Sequence, residues 1–299
     1  MTILLLGKDG QVGWQLQRSL APHGRLVACG RAECDLSDLS QVRAFVRRVQ
    51  PSVIVNATAY TAVDKAESEP ALAQLINGEA PGVLAEEAAR LDALLVHYST
   101  DYVYDGLKNT PWVESDPTGP QSAYGRSKLA GEAAIRAVAG KSLIFRTSWV
   151  FGEHGGNFVK TMLRLARERD SLSVVADQIG SPTPAALIAT VTGIVLAVLQ
   201  RGQRLERGEN RLYHLAAARS VSWYDFARTI IELATGIPEL KVGLPPAAIR
   251  PIATADYPTP ARRPANSRLD CSKLEADFAL QMPDWQPYLE RMLVQLAAK

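Results

Sequence analysis

Along the first half of the chain, short apolar runs rich in β-branched residues alternate with stretches whose apolar positions recur at helical spacing. The runs read as strands: TILLLG from Thr2, RLVACG from Arg25, SVIVNA from Ser52, ALLVHYST from Ala93 and SLIFRTS from Ser142. Near-continuous apolar runs bounded by turn residues mark strands buried on both faces. Between them the spacing predicts helices from Gln11 to about Leu20, from Ser40 to about Val49, over the whole of ALAQLINGEAPGVLAEEAARL (71–91), and from near Ser122 onward. Such alternation builds a parallel sheet covered by helices. Right-handed crossovers then bring every helix entry, and with it any ligand, to the carboxyl edge of that sheet.

After about Ser148 the texture changes to longer loops rich in Pro and Gly, FGEHGGN, DQIGSPTP and YPTPARRP. Helical stretches persist at Asn157 to Glu168, Pro184 to Gln200 and Trp223 to Ala234, with short strands at LSVVAD and RLYHLA. ALIATVTGIVLAVLQ is apolar enough to be a buried helix that packs back on the first lobe. The fold class expected is α/β, a doubly wound parallel Rossmann sheet with a second, smaller interleaved α/β substrate lobe. The dinucleotide-binding domain would take 1–147 plus about 184–214, and the other lobe about 148–183 and 215–299.

Composition narrows the partners. The net charge is +2 with Lys and Arg scattered, so there is no electrostatic footprint for nucleic acid or a membrane surface, and a small-molecule substrate is expected. MTILLLGKDG lacks a basic leader and a long apolar core, and no later run reaches membrane-span length, which points to the cytoplasm. Cys29, Cys34 and Cys271 are unclustered and the four histidines dispersed, which argues against a structural zinc and for a reducing compartment. Monomer and homodimer both stay open.

ILLLGKDGQVGWQL sets Gly7, Gly10 and Gly13 between the first strand and the first helix. A tight turn there needs glycine, the backbone must approach a pyrophosphate closely, and the helix start offers free N–H groups. Its place between strand and helix turns a weak triplet into a dinucleotide-binding signal. At the end of the second strand, in ACGRAECDLSD, Arg31 holds the position that would accept the extra phosphate of NADPH, with NADH the alternative cofactor and a solvated surface Arg the bland reading. Asp35 and Leu36 would border the adenine, though Asp35 also suits a helix cap.

Two Tyr-x-x-x-Lys pairs occur, where chance supplies roughly one in a chain this long. Tyr104 and Lys108 straddle Gly106 in turn chemistry, so nothing holds them on one face. Tyr124 and Lys128 follow Pro120 and Ser122 on a helix, where i, i+4 spacing stacks them, and the fourth strand delivers Ser99, Thr100 and Asp101 to the same edge. A hydroxyl, a phenol and an ammonium together suit carbonyl reduction: Tyr124 protonates the developing alkoxide, Lys128 lowers the phenol's pKa and binds the nicotinamide ribose, and Thr100 bonds the carbonyl. A half-buried Tyr124 beside a snorkelling Lys128 is the structural alternative.

These residues, with VIVNATAYTAVDKAE, STDYVYDG, YGRSKLAGE, RTSWVFGEHGGNFVKTML, DQIGSPT and YPTPARRPANSRLD, resemble the extended short-chain dehydrogenases and, among them, the dTDP-4-dehydrorhamnose reductases. The resemblance covers nearly the whole chain. It implies Gly10, Gln11 and Val12 on the pyrophosphate, Asp35 and Leu36 at the adenine end, and Ala59, Tyr60 and Thr61 beneath the cofactor. It implies Thr100, Tyr124 and Lys128 as the catalytic set, and Asp101 and Trp149 on the sugar. Arg262 and Arg263 could meet a nucleotide diphosphate or lie on the surface; Arg263 is the one assigned to substrate. Members of this family use magnesium at a dimer contact through acidic side chains near the first helix, and Gln15 there argues against that device here.

The activity implied is NADPH-dependent reduction of the C4 ketone of dTDP-4-dehydro-L-rhamnose to dTDP-L-rhamnose. One rival is another nucleotide-sugar enzyme of the same fold, an epimerase or a dehydratase; no glutamate follows Asp101 to complete a dehydratase's acid and base pair. A second rival is a non-catalytic NADP-binding regulatory subunit of methionine adenosyltransferase, against which Thr100, Tyr124 and Lys128 all stand intact.

Overall fold

The computed structural model describes residues 1–202 and 205–298. All the expected first-half strands form: β1 (Thr2–Leu6), β2 (Arg25–Cys29), β3 (Val53–Asn56), β4 (Leu94–Thr100) and β5 (Lys141–Thr147). With Asn210–His214 they make a six-stranded sheet, ordered Asn210–His214, β5, β4, β3, β1, β2, in which every pairing is parallel. The period of two along β1 sends Ile3 and Leu5 to one apolar core, with Leu16 and Val191, and Leu4 and Leu6 to the other, with Val42, Phe45 and Leu84. Strand order reverses between β1 and β3, which opens a crevice at their carboxyl ends.

The helices on that sheet are α1 (Gln11–Leu20), α2 (Leu39–Val49), α3 (Val63–Ser68), α4 (Pro70–Gln74), α5 (Ala80–Arg90) and α6 (Ala123–Arg136). Asp38 caps α2 by accepting the Gln41 N–H, so Asp35 is not the helix cap; it closes its own turn on the Ser37 N–H and hydroxyl. The single helix expected over 71–91 is instead interrupted, α4 and α5 being joined by a π-helical turn at Leu75–Glu79. Pro81 supplies the reason, because its ring would strike the carbonyl four residues back, that of Asn77, in an α-helix. Asn77 is fully buried there and its amide accepts the Tyr60 N–H at 2.8 Å while donating to the Tyr60 carbonyl and to Ser127 Oγ, both at 3.0 Å. The π turn thereby ties the segment after β3 to α6.

Outside the sheet run α7 (Phe158–Glu168), α8 (Ala185–Arg201) and α9 (Trp223–Thr235). The apolar α8 lies on α1 as its composition suggests, close enough that a Cβ on Gly193 would sit 3.2 Å from the Ser19 carbonyl. Leu172–Val175 pairs with Ile249–Ile252, and Ile179–Gly180 bridges Val221–Ser222 and Asn266–Ser267. The helices α10 (Ser272–Phe278) and α11 (Gln286–Ala297), like most of these short strands, carry no signal that the sequence reading picked up. Among the described residues no helix is long and apolar enough to cross a membrane.

One contact controls how α6 meets the π turn: a Cβ built on Gly131 would lie 2.1 Å from the Asn77 carbonyl oxygen. Backbone cannot give way there as a flexible side chain would. Gly131→Ala is therefore expected to destabilise the fold by about 1–3 kcal/mol, read as a lower urea midpoint at unchanged slope.

Candidate active site

The crevice is a cleft of about 550 Å³ at the carboxyl edge. Gly7, at φ +86, turns the chain out of β1, and a Cβ on Gly13 would fall 1.8 Å from the Gly7 carbonyl oxygen, so only glycine lets α1 start this close to the strand. Gly7, Gly10, Gln11 and Val12 line the cleft, as do Arg31, Asp35 and Leu36. Ala59, Tyr60 and Thr61 form its floor, and Tyr124 and Lys128 close its inner end. Arg31 is largely exposed and its Nε donates to Asp35 Oδ2 at 3.0 Å. The glycine turn, the unpaired first-turn amides of a helix and the cleft's size together fit a dinucleotide.

Sequence reasoning missed part of the lining. Thr58, Ile76 and Thr147 face the cleft, as do Gly155 and Gly156 from the loop after β5. That loop is fastened to α1: Asn157 donates to Gln11 Oε1 at 3.0 Å, Gln15 donates to Glu153, and His154 stacks on Trp14 at 4.4 Å. Among the described residues no group of three or more His, Cys, Asp or Glu side chains could hold a metal ion.

At the inner end, β4 and α6 bring Thr100, Tyr124 and Lys128 together. Ser122 caps α6 by accepting the Gly125 N–H at 3.1 Å, which sets the first turn and with it the direction of Tyr124. The Tyr124 phenol is hydrogen-bonded to Thr100, whose hydroxyl donates to Asp101 Oδ1 at 3.0 Å. Lys128 is 1% exposed, and its Nζ donates to the Tyr98 carbonyl at 2.6 Å. Burial pushes its pKa down to about 8, against the Glu132 carboxylate one turn along the helix. For Tyr124 the direction is opposite to the sequence expectation: burial raises the phenol above its ordinary value, and the bond to Thr100 only partly offsets that. Burial is the largest cause, and the neighbouring Asp101 and Tyr102 add to it.

Tyr102 sits edge-on to Tyr124, ring centroids 5.5 Å apart, and faces a second cavity of about 680 Å³ between α7, Leu172–Val175 and the loop carrying Arg263. The two adjacent arginines part company here. Arg262 is exposed, 3.4 Å from Gln121 Oε1, whereas Arg263 lines the cavity, donates through Nη2 to Asp64 at 2.6 Å and buries an Nη1 that has no hydrogen-bond partner among the described residues. Trp149, at φ +48, stacks on Trp223 at 3.5 Å and packs against Gly180; it is in the lining of neither cavity. Tyr104 and Lys108 are indeed apart: Tyr104 is buried on Arg146 and His214, and Lys108 pairs with Asp116.

Glycine cleft, parallel sheet and phenol–lysine pair fit an oxidoreductase built on a Rossmann-like dinucleotide-binding sheet. Comparison with known proteins narrows the class. The family model described as RmlD substrate binding domain matches residues 1–298. The dTDP-4-dehydrorhamnose reductase of Escherichia coli K12 is 48% identical, covering 99% of this chain and 98% of its own, and that of Burkholderia thailandensis is 47% identical, covering 96% of each. The crystal structure of the Bacillus anthracis dTDP-4-dehydrorhamnose reductase in complex with NADP superposes with a TM-score of 0.88 at 34% identity, covering 98% of this chain and 99% of that one. The chain belongs to the dTDP-4-dehydrorhamnose reductase family.

Asp101 carries a stability consequence. Burial raises its carboxyl from an ordinary 3.8 to about 6, partly countered by the Ser267 and Thr100 hydroxyls. The folded state thus binds its proton more tightly than the unfolded chain, so stability falls as pH rises from about 4 through 6 and stays low above. Asp101→Asn, which cannot ionise, is expected to be more stable than the parent at pH 8 by about 3 kcal/mol and to lose that advantage near pH 4, measured by thermal denaturation at both.

Proposed function

We propose that this chain reduces the C4 ketone of dTDP-4-dehydro-L-rhamnose to dTDP-L-rhamnose with NADPH, and that Tyr124 donates the proton. The observation that carries the reading is the position of the Thr100–Tyr124–Lys128 group, at the inner end of the glycine cleft and one tyrosine ring away from the second cavity. Family membership supports the substrate class, and NADP in the Bacillus anthracis relative supports the cofactor.

NADPH, when bound, supplies the hydride. The remaining work belongs to the chain's own groups. Gly7, Gly10, Gln11 and Val12 cradle the pyrophosphate, Leu36 and Asp35 border the adenine, and Ala59, Tyr60 and Thr61 support the ring system from below. Arg31 accepts the extra phosphate by exchanging its Asp35 contact, which is solvent-exposed and cheap to release. Thr100 turns its one hydroxyl proton from Asp101 to the ketone oxygen, and Tyr124, bonded to the same oxygen, gives it the phenol's proton as charge develops there. Lys128, as an ammonium, favours the resulting phenolate against the burial that opposes it. Asp101 and Trp149 hold the sugar, and the unpartnered Nη1 of Arg263 takes a diphosphate oxygen.

We also read the chain as two lobes, 1–147 with about 184–214 for the cofactor and the rest for the nucleotide sugar. Pairing of Asn210–His214 with β5 and packing of α8 on α1 support that division. The regulatory-subunit alternative is disfavoured by the hydrogen-bonded Thr100–Tyr124 pair, which binding without turnover does not require.

Loss of NADPH absorbance on adding dTDP-4-dehydro-L-rhamnose tests the reading. Turnover in the parent and a drop of roughly 10²- to 10⁴-fold in Tyr124→Phe are expected, with NADPH binding retained. NADPH binding without consumption by the parent would sink the substrate assignment. Arg31→Ala should weaken NADPH by about tenfold while leaving NADH nearly unchanged; an equal loss for both would remove Arg31 from cofactor choice.

A further inference from the structure

Lys128 Nζ has a second neighbour on β4, His97 Nε2, 3.3 Å away. Which of the two nitrogens donates is decided farther along the chain of bonds. Asn56, the last residue of β3, accepts the Thr58 backbone N–H on Oδ1 at 3.1 Å. A backbone N–H can only donate, so the amide's orientation is settled and Nδ2 is the atom that reaches His97 Nδ1, 3.1 Å away. An amide NH2 also only donates; Nδ1 must therefore offer its lone pair. His97 is fully buried, and that burial, the main cause, holds its pKa well below the ordinary value, so the ring is neutral and its one N–H is on Nε2. That N–H points at Lys128.

A neutral amine has a lone pair to receive it, and an ammonium has none. We propose that Asn56 and His97 form a tautomer lock that presents an N–H to Lys128 Nζ and biases this lysine toward its uncharged amine, His97 being the positioning residue that sets how much lysine charge Tyr124 feels. The inference rests on the proposed role of Lys128 in tuning Tyr124. Reversing the lock has a cost at each link: His97 must move its proton to Nδ1, Asn56 must turn, and the Thr58 N–H is left facing an NH2.

The other groups around Lys128 do not create this bias. Glu132 favours the ammonium, but its carboxylate is taken up by Arg146 from β5, by Arg136 and by Ser99. Glu67 of α3 accepts the Ala123 N–H, and Glu87 of α5 is paired with Arg43 and Arg47. Glu79 of the π turn is exposed, the Tyr98 hydroxyl bonds Thr192, and Asp101 and Tyr102 act on Tyr124.

Two measurements test the lock. A long-range proton–nitrogen correlation spectrum of histidine-labelled protein reads the tautomer directly, His97→Gln identifying the signal among the four histidines. A neutral ring protonated at Nε2 and unchanged from pH 6 to 9 is expected; protonation at Nδ1, or an imidazolium, overturns the proposal. Asn56→Asp keeps the side-chain shape and the Thr58 acceptor but turns the donor toward His97 into an acceptor, which moves the proton to Nδ1 and frees a lone pair for Lys128. The alkaline limb of kcat for NADPH-dependent reduction should then move up by about one pH unit. Made in the His97→Gln background, the same change should leave the limb where it was; a shift retained there would come from the added charge alone and overturn the lock. A protein that shows no turnover fails the proposed reaction, while the spectrum still decides the tautomer.

Discussion

The pair between Glu132 and Arg146 is what allows α6 to lie against the carboxyl edge of the sheet at all. Tyr124, Lys128 and Glu132 follow one another at steps of four, so a single helical stripe carries a phenol, an amine and a carboxylate into the interior. Arg146 meets Glu132 with two bonds, Nε to Oε1 at 2.8 Å and Nη2 to Oε2 at 2.6 Å, and Ser99 adds a third at 2.6 Å. A buried carboxylate left without these would cost several kcal/mol, on the order of 3–5. The same guanidinium donates to the Tyr104 hydroxyl at 2.6 Å, and that hydroxyl lies 2.7 Å from His214 Nε2. β4, β5, α6 and the sixth strand are thus fastened by one polar network directly below the candidate site.

From that anchor the two cavities follow. α6 starts at Ser122 between them, so Tyr124 closes the inner end of the glycine cleft while its neighbour Tyr102 walls the other cavity. The π turn does the same on the opposite flank, since Asn77 fastens the floor of the cleft at Tyr60 to Ser127 on α6. A proline that breaks helical bonding and a glycine that admits a foreign carbonyl act as one unit, because Pro81 displaces the Asn77 carbonyl toward the space that Gly131 leaves open.

The strands, the glycine turn and the placing of Tyr124, unlike Tyr104, with its lysine on one cleft were legible because each depends on local pattern. β-branched runs, a turn that only glycine can make and an i, i+4 spacing are properties of neighbours in sequence. What escaped was set by distance. The loop carrying Gly155 and Gly156 becomes a cleft wall through contacts with α1 about 140 residues earlier, as between Asn157 and Gln11. Arg262 and Arg263 look equivalent in YPTPARRP, and only the arrival of Asp64 tells them apart. The sign of the Tyr124 shift was misjudged for the same reason: spacing on a helix does not reveal how completely the folded chain buries the phenol, nor that Asp101 and Tyr102 lie beside it.

Burial acts on the ionisable members of the site in one common direction. It lowers Lys128, raises Asp101 and raises Tyr124, so each is displaced toward its uncharged form. The neighbouring structural carboxylate, Glu132, goes the other way because three donors outweigh its desolvation. That contrast separates the groups that hold the fold from those poised to change. Where hydrogen bonds saturate a charge, it is fixed in place; where they do not, a small change in the surroundings shifts the proton. A site built from the second kind beside an anchor of the first has a rigid frame with labile protons, which is what protonating an alkoxide as it forms requires.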